Sequence, residues 1–169
     1  LARRDFSINA FAAGINSSDW CELIDFHDGL ADLTSKQIRV LHSKSFEDDP
    51  TRIFRGLRYS GRLGFDLENK TKEMLIAGLE FLPLLRGFRI TSEIRRVFSE
   101  ENSDAILNAL DQYKVMKYAH EAFPSGANLI ERRDLLRSLG IDSHNRDFYA
   151  FISLIGSNER QNVIEIMNL

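Results

Sequence analysis

A helical period that runs from Pro50 to the carboxyl end constrains the fold more than any other feature. Apolar residues recur three or four positions apart along this part of the chain, as they do in helices that bury one face. The pattern predicts helices at 50–63, 69–81, 90–98, 103–113, 128–139, 146–156 and 159–168. The expected fold class is therefore mainly α.

The first quarter of the chain has a mixed pattern. Residues 6–15 have the spacing of a helix, whereas 21–26 and 38–42 have the short apolar centres of strands. Asp28 and Gly29 form a turn signal between the two strands, and 29–33 has room for one helical turn. We therefore predict a small β part at the amino end.

Composition excludes several classes of protein. Hydrophobic residues make up 43% and charged residues 28%, which is typical of a globular chain, and the uninterrupted apolar stretches are too short for a membrane span. A net charge of -3 excludes a uniformly basic nucleic-acid-binding surface but not a local basic patch. A single cysteine, Cys21, favours a reducing compartment, the cytoplasm. Because the chain opens on Leu1 and no stop signal follows its last helix, we expect a piece of a longer protein.

The helix at 50–63 carries a stripe of arginines. At roughly 100° per residue, Arg55, Arg58 and Arg62 fall within about 60° of one another, with Arg52 about 60° beyond. No acidic residue lies between Arg52 and Arg62 to pair with them, and the helix macrodipole disfavours cations in the first turn. A bound phosphate would relieve this repulsion. The alternatives are a solvated face, or pairing with distant acids such as Glu47.

The start of the same helix has a second chemical feature. Asp49 is suited to the N-cap position and Pro50 to the first helical position, while Gly64 is suited to the stop. Arg52 lies one turn after Asp49, so the two side chains can project together. A carboxylate accepts from the exocyclic amine of cytosine or adenine, and a guanidinium donates to the adjacent ring nitrogen. Guanine and uracil present the opposite pattern and would leave such a site unpaired. The simpler alternative is that Asp49 is only a cap.

Three motifs, in this order, resemble those of the bacterial-type (class II) tRNA nucleotidyltransferases and poly(A) polymerases. Residues 3–10 are similar to RRDFTxNA, 25–33 to DxxxGxxDL and 48–52 to EDxxR. A weaker likeness continues at 90–97, in the family's fourth neck region. After about residue 115 only a general helical character is shared.

The resemblance implies both an activity and a domain order. The family adds C, C and A to the 3′ end of tRNA, or adenosines to RNA, without a nucleic-acid template. Its substrates are CTP and ATP, its partner is the 3′ end of tRNA or another RNA, and the intact protein uses Mg²⁺. Residues 1–43 would be the end of the nucleotidyltransferase head, a small β remnant. Residues 44–115 would be the helical neck, and 116–169 the start of a helical body.

Individual roles also follow from the resemblance. The implied nucleotide-binding residues are Arg3, Arg4, Asp5, Asp49, Arg52, Arg55 and Arg58. Arg3 and Arg4 would lie near phosphate or sugar, and Asp5 at the ribose. Asp49 and Arg52 would read the base. Arg55 and Arg58 would hold the triphosphate. A hinge between head and neck would contain Asp25, Gly29 and Asp32.

The sequence departs from the family pattern at several points. Asp48 stands where glutamate is usual, Phe26 where proline is usual and Ser7 where threonine is usual. The family's D-x-D pair of metal-binding carboxylates does not occur in the sequence, and it would precede Arg3. We therefore expect no catalytic and no metal-binding residue in this chain, and no transfer activity from it alone. The competing hypothesis is a non-catalytic module that binds RNA or nucleotides.

Two further patterns have ordinary structural explanations. The helical spacing of Phe81, Phe88, Phe98, Phe123, Phe148 and Phe151 predicts core positions. The neighbouring pairs at 95–96 and 132–133 are arginines that we expect on solvated helix faces.

Overall fold

The protein is described here by a computed structural model that covers residues 4–141 together with Ala150, Phe151 and Ser153. The strands are β1 Phe11–Ala13, β2 Leu23–Asp25, β3 Gln37–Ile38 and β4 Asp66–Leu67. The helices are α1 Gly29–Ser35, α2 Ser45–Asp48, α3 Thr51–Leu63, α4 Asn69–Gly78, α5 Gly87–Phe98, α6 Ser103–Gln112, α7 Val115–Ala119 and α8 Gly126–Ser138. Short 3-10 segments occupy Ser7–Asn9 and Leu79–Leu84. The predicted class, mainly α with a small β part near the amino end, is confirmed.

The predicted helix at 6–15 is wrong. A 3-10 turn leads into β1, which pairs antiparallel with β2 so that Phe11 lies opposite Asp25. The buried apolar side chains are Phe6, Ile8 and Ala10, and they lie in and beside the 3-10 turn. The strand predicted at 21–26 is confirmed as β2, and the helical turn predicted at 29–33 is part of α1.

The strand predicted at 38–42 is shorter than expected. β3 pairs in parallel with β4 over two residues, with Ile38 opposite Leu67. Val40 then forms an isolated antiparallel bridge with Phe6. The β part of the chain is therefore divided between two small sheets.

The helices predicted from the period after Pro50 are confirmed wherever the structure describes the chain fully. The predictions at 50–63, 69–81, 90–98, 103–113 and 128–139 correspond to α3, α4, α5, α6 and α8, with ends shifted by up to three residues. The short helices α2 and α7 were not expected. The prediction at 159–168 lies outside the described residues, as does most of the one at 146–156, where only Ala150, Phe151 and Ser153 are described, all helical.

The core is one cluster of buried apolar side chains that extends from Phe6 to Phe151. Helix α3 is its centre, with Ile53, Phe54 and Leu57 buried on the face opposite the arginines. It packs against both α5 and α6, and α6 packs against α8. Because residues of the β part lie in the same cluster, the amino-terminal segment packs against the helices. The predicted domain boundaries after residues 43 and 115 stay predictions.

Within the residues that the structure describes, no helix has the length and apolar character needed to cross a membrane.

Candidate functional site

The beginning of α3 is organised by Asp49. Its backbone is extended, at φ -149° and ψ 93°, whereas the angles of Pro50, φ -62° and ψ -17°, are already helical. Oδ1 of Asp49 accepts hydrogen bonds from the backbone N–H of Thr51 at 3.1 Å and from its Oγ1 at 2.6 Å. Asp49 thus satisfies a free amide of the first turn, as the sequence predicts.

A residue that sequence reasoning missed completes this arrangement. Arg89, near the start of α5, donates from Nη2 to the same Oδ1 of Asp49 at 2.8 Å. Three donors therefore meet on one carboxylate oxygen, and in the described part of the chain Oδ2 of Asp49 has no hydrogen-bond partner. Nothing in the sequence links the two residues, which are 40 positions apart.

Arg52 has different partners from Asp49. Its Nη1 donates to Oγ of Ser45 at 2.8 Å and to the carbonyl oxygen of the same residue at 3.3 Å. These bonds connect the first turn of α3 to the start of α2. The two side chains that were predicted to project together from one turn thus have separate hydrogen-bond partners here.

Arg55 forms an ion pair with Asp5 that connects the amino-terminal motif to α3. Nε of Arg55 lies 2.8 Å from Oδ2 of Asp5, and Nη2 contacts the same oxygen. The other oxygen accepts from the amide of Phe6 at 2.9 Å and from Nδ2 of Asn9 at 3.1 Å. Burial alone would raise the pKa of Asp5, but the bonds from Asn9 and Arg55 outweigh it and hold that pKa below its ordinary value.

The other arginines of the stripe also pair with an acid that is distant in the sequence. Arg58 is buried and donates from Nη1 to Oε1 of Glu100 at 2.7 Å, and Nη1 of Arg62 lies 3.8 Å from the same oxygen. The guanidinium carbons of Arg55, Arg58 and Arg62 lie 5.5, 4.9 and 4.8 Å from the ring centre of Tyr59, within cation–π range. Pairing with distant acids, an alternative that the sequence left open, thus occurs, although the acids are Asp5 and Glu100 and not Glu47.

The residues predicted as a hinge form one connected structure at the start of α1. The carboxylate of Asp25 accepts from the amides of Leu30 at 2.9 Å and Gly29 at 3.0 Å, and these bonds hold its pKa below the usual range. A side chain at Gly29 would place its Cβ 2.3 Å from the carbonyl oxygen of Ser7. Asp32 accepts from Oγ of Ser7 and from Nε of Arg39 at 2.8 Å.

A cleft of about 320 Å³ lies between the start of α3 and one face of α5. Its walls carry the cations Arg55, Arg89 and Arg96 and the anions Asp49 and Glu93. The cleft thus brings the capping carboxylate of Asp49 together with three guanidinium groups, a composition suited to an anionic ligand with a hydrogen-bonding edge.

Two expectations about ordinary structure need correction. Phe88 was expected in the core, but it lines the cleft and is 52% exposed, because α5 begins at Gly87 and its second residue faces outward. Arg133 was expected on a solvated face, but it is buried and paired with Asp104 and Asp134. Phe123 and Phe151 are buried as expected, whereas Phe148 lies outside the described residues.

The two remaining residues of the predicted nucleotide set lie at the amino end. Arg4 is exposed, and Arg3 lies outside the described residues. Across residues 4–141 and the three later positions described, no group of three or more His, Cys, Asp or Glu side chains is placed to hold a metal ion.

Comparison with known proteins relates this geometry to a family. The model of the Poly A polymerase head domain matches residues 1–39. The A-adding tRNA nucleotidyltransferase of Aquifex aeolicus is 38% identical over 150 residues, which are 88% of this chain and 18% of that protein. The CCA-adding enzyme of Enterococcus faecalis is 36% identical over 140 residues, 80% of this chain and 33% of that protein.

A solved structure extends the likeness to the fold. A tRNA nucleotidyltransferase in complex with a primer tRNA and an incoming ATP analogue superposes with a TM-score of 0.83 at 32% identity, over 99% of this chain and 53% of that one. The described fold is therefore that of a tRNA nucleotidyltransferase over the region where the head meets the helices. The chain belongs to the bacterial-type family of tRNA nucleotidyltransferases and poly(A) polymerases. It spans between a fifth and about half of the length of these relatives.

Proposed function

We propose that this chain is the nucleotide-selecting part of a template-independent RNA nucleotidyltransferase that adds CMP and AMP to the 3′ end of tRNA. The observation that carries the proposal is the carboxylate of Asp49, which lines an arginine-walled cleft, accepts from three donors on Oδ1 and has no hydrogen-bond partner on Oδ2 among the described residues. The names of the relatives support it, because they are A-adding and CCA-adding enzymes.

The chemistry of selection follows from the acceptor character of Asp49. Its free oxygen can accept from the exocyclic amine of cytosine or adenine, whereas the carbonyl oxygen of uracil or guanine would meet a like partial charge. Arg52 supplies the donor for the ring nitrogen, and to do so its Nη1 leaves Ser45. A wrong base leaves both charged groups unpaired, which is the strongest source of discrimination that a binding site has.

The other residues of the set act around this pair. Arg55 uses Nε and Nη2 on Asp5, and we propose that its remaining Nη1 meets the triphosphate. Arg3 and Arg4 approach the phosphate or sugar from the amino end. Asp5 and Arg58 belong to the same proposed set, at the ribose and the triphosphate. In the described structure their charged groups are engaged by Arg55 and Glu100, so reaching the nucleotide requires that these pairs rearrange.

Movement between head and helices is the proposed role of Asp25, Gly29 and Asp32. They join α1 to the segment before β1 through Ser7 and Gly29, so a change there moves Arg4 and Asp5 relative to α3. Mg²⁺ supplies charge stabilisation in nucleotidyl transfer, and we propose that the intact protein holds it with residues other than those described. A cytoplasmic location is part of the same proposal.

Binding of the four nucleoside triphosphates tests the proposal. We expect CTP and ATP to bind this chain at low salt about tenfold or more tightly than UTP and GTP, the effect of one hydrogen bond to a charged group. Asp49→Ala and Arg52→Ala should remove that preference. Arg62→Ala, at the other end of the same stripe, is the matched control and should keep it. Equal binding of all four, or no binding, would contradict the proposal.

A further inference from the structure

An exposed aromatic side chain lines the cleft between α3 and α5. It is Phe88, the second residue of α5. We infer that its ring stacks on the base of the nucleoside triphosphate in this cleft, while the carboxylate of Asp49, which lines the same cleft, reads the edge of that base. The inference rests on the proposed function, since it takes the cleft as the nucleotide site. It adds a contact that holds any base, whereas the contact of Asp49 distinguishes one base from another.

Phe88 lies on the polar face of α5. At roughly 100° per residue, Phe88, Arg89, Ser92 and Arg96 fall within about 100° of one another, and all four line the cleft. The apolar residues that α5 buries lie on the other side of the helix. The core does not account for Phe88, because its ring is outside the cluster of buried apolar side chains and outside the partly buried ones packed against that cluster.

The residues around Phe88 have the chemistry that a nucleotide requires. Arg55, Arg89 and Arg96 line the same cleft and supply positive charge for the phosphates. The flat, apolar face of the phenylalanine ring suits a base, because every base has a π-face and stacking removes both faces from water. An aromatic ring beside several arginines is therefore better explained by a bound nucleotide than by packing within the chain.

A buried acceptor in the same cleft also points to a ligand. Glu93 lines the cleft and is only 4% exposed. One oxygen of its carboxylate, Oε1, accepts from Arg96, but Oε2 is buried and has no hydrogen-bond partner among the described residues. A buried carboxylate oxygen without a donor is costly. A hydroxyl or amine group of a nucleotide bound in the cleft would supply that donor.

The experiment measures dissociation constants of CTP, UTP and inorganic tripolyphosphate for the wild-type chain and for Phe88→Ala, Phe88→Trp and Tyr118→Ala. We expect Phe88→Ala to weaken CTP and UTP alike, by about tenfold, and to leave the binding of tripolyphosphate, which has no base, unchanged. Phe88→Trp should bind both nucleotides at least as tightly as the wild type, because the indole ring is larger. Tyr118 is an exposed aromatic residue of α7 outside the cleft, so Tyr118→Ala is the matched control and should change none of the three constants.

Tryptophan fluorescence gives a second readout of the same contact. The wild-type chain contains one tryptophan, Trp20, so the emission that Phe88→Trp adds reports on the cleft. Stacking on a base should quench this added emission when CTP binds, and tripolyphosphate should not quench it. Thermal unfolding shows whether each variant is folded. If Phe88→Ala does not fold, the quenching in Phe88→Trp decides: its presence supports the inference and its absence contradicts it.

The outcomes separate the inference from the proposed function. If CTP and UTP bind Phe88→Ala as tightly as the wild type, or if tripolyphosphate is weakened to the same extent as they are, the inference is wrong. A wild-type preference for CTP would then leave the proposed function standing. If Phe88→Ala weakens both nucleotides but the wild type does not prefer CTP, stacking is supported and the proposed base selection is wrong. If the wild-type chain binds no nucleotide, both are wrong.

Discussion

Asp5 and Asp49, two aspartates near the arginine stripe, differ in whether a carboxylate oxygen is available to a ligand. Both oxygens of Asp5 are engaged, by Arg55 on one side and by Phe6 and Asn9 on the other. Asp49 lines the cleft, and among the described residues its Oδ2 has no hydrogen-bond partner. The buried carboxylate of Asp5 therefore holds the guanidinium of Arg55 in place, whereas the half-buried carboxylate of Asp49 can bind a ligand.

The charge of Asp5 predicts a dependence of stability on pH. Asp5→Asn keeps the side chain's size but removes the charge, and we expect a loss of about 1.5–3 kcal/mol near neutral pH, the range for hydrogen bonds to charged groups. The folded pKa of Asp5 is lower than its ordinary value of 3.8. The stabilisation is therefore present above that value and is lost as the pH falls through the lower, folded pKa.

Urea unfolding of the wild type and of Asp5→Asn, from neutral pH to below 3.8, measures the free energy of unfolding of each protein. The gap between wild type and Asp5→Asn should be full near neutral pH and should close at the acid end. A gap that stays constant down to the acid end would show that the charge of Asp5 does not matter.

Sequence reasoning predicted the chemistry of single residues better than their partners. The capping role of Asp49 depends on its immediate neighbours, and the structure confirms it. The partners of Arg55 and Arg58 lie 50 and 42 residues away, and such pairs depend on how helices pack. An acid that is absent at i+3 or i+4 therefore does not show that an arginine is unpaired.

At the scale of elements, α1 shows how a short motif fixes two segments together. Asp25 caps the helix, Asp32 accepts from Ser7, and Gly29 allows the helix to approach the carbonyl oxygen of Ser7. Serine supplies the hydroxyl that the usual threonine would supply at this position, so that departure from the family pattern keeps the contact.

Gly29→Ala should loosen this connection. Its Cβ would lie 2.3 Å from the carbonyl oxygen of Ser7, so the helix and the 3-10 segment must separate. We expect a loss of about 1–3 kcal/mol, the range for overpacked sites, measured by urea unfolding. Gly64→Asn is the control, because Gly64 has a left-handed φ of 66° that asparagine tolerates and no atom within 4 Å of an added Cβ. Equal loss in both variants would contradict the account.

Elements with a long, regular period were predictable and the short ones were not. Helices α3 and α6 each have several turns of apolar residues, so a face is defined by repetition. Residues 6–15 contain apolar positions that fit both a helix and an alternating strand, and pairing with β2 decides between them. The two-residue strand β4 depends entirely on its partner β3.

At the scale of the whole molecule, the cleft lies between helices α3 and α5, and one of its residues, Arg55, is paired with Asp5 of the amino-terminal segment. The head-domain match ends at residue 39, but the apolar cluster continues without interruption from Phe6 into α3 and α5. The ion pair between Arg55 and Asp5 joins the arginine face of α3 to the first motif. The proposed site, which uses both motifs, therefore depends on this packing.

Nucleotide incorporation onto tRNA tests the central claim most directly. The full-length protein that contains these residues is given a tRNA without its 3′ CCA, Mg²⁺ and each nucleoside triphosphate in turn. We expect incorporation of CMP or AMP and little UMP or GMP, and we expect the Asp49→Ala, Arg52→Ala double variant to lose that preference. Equal incorporation of all four by the wild type, or an unchanged preference in the double variant, would contradict the account.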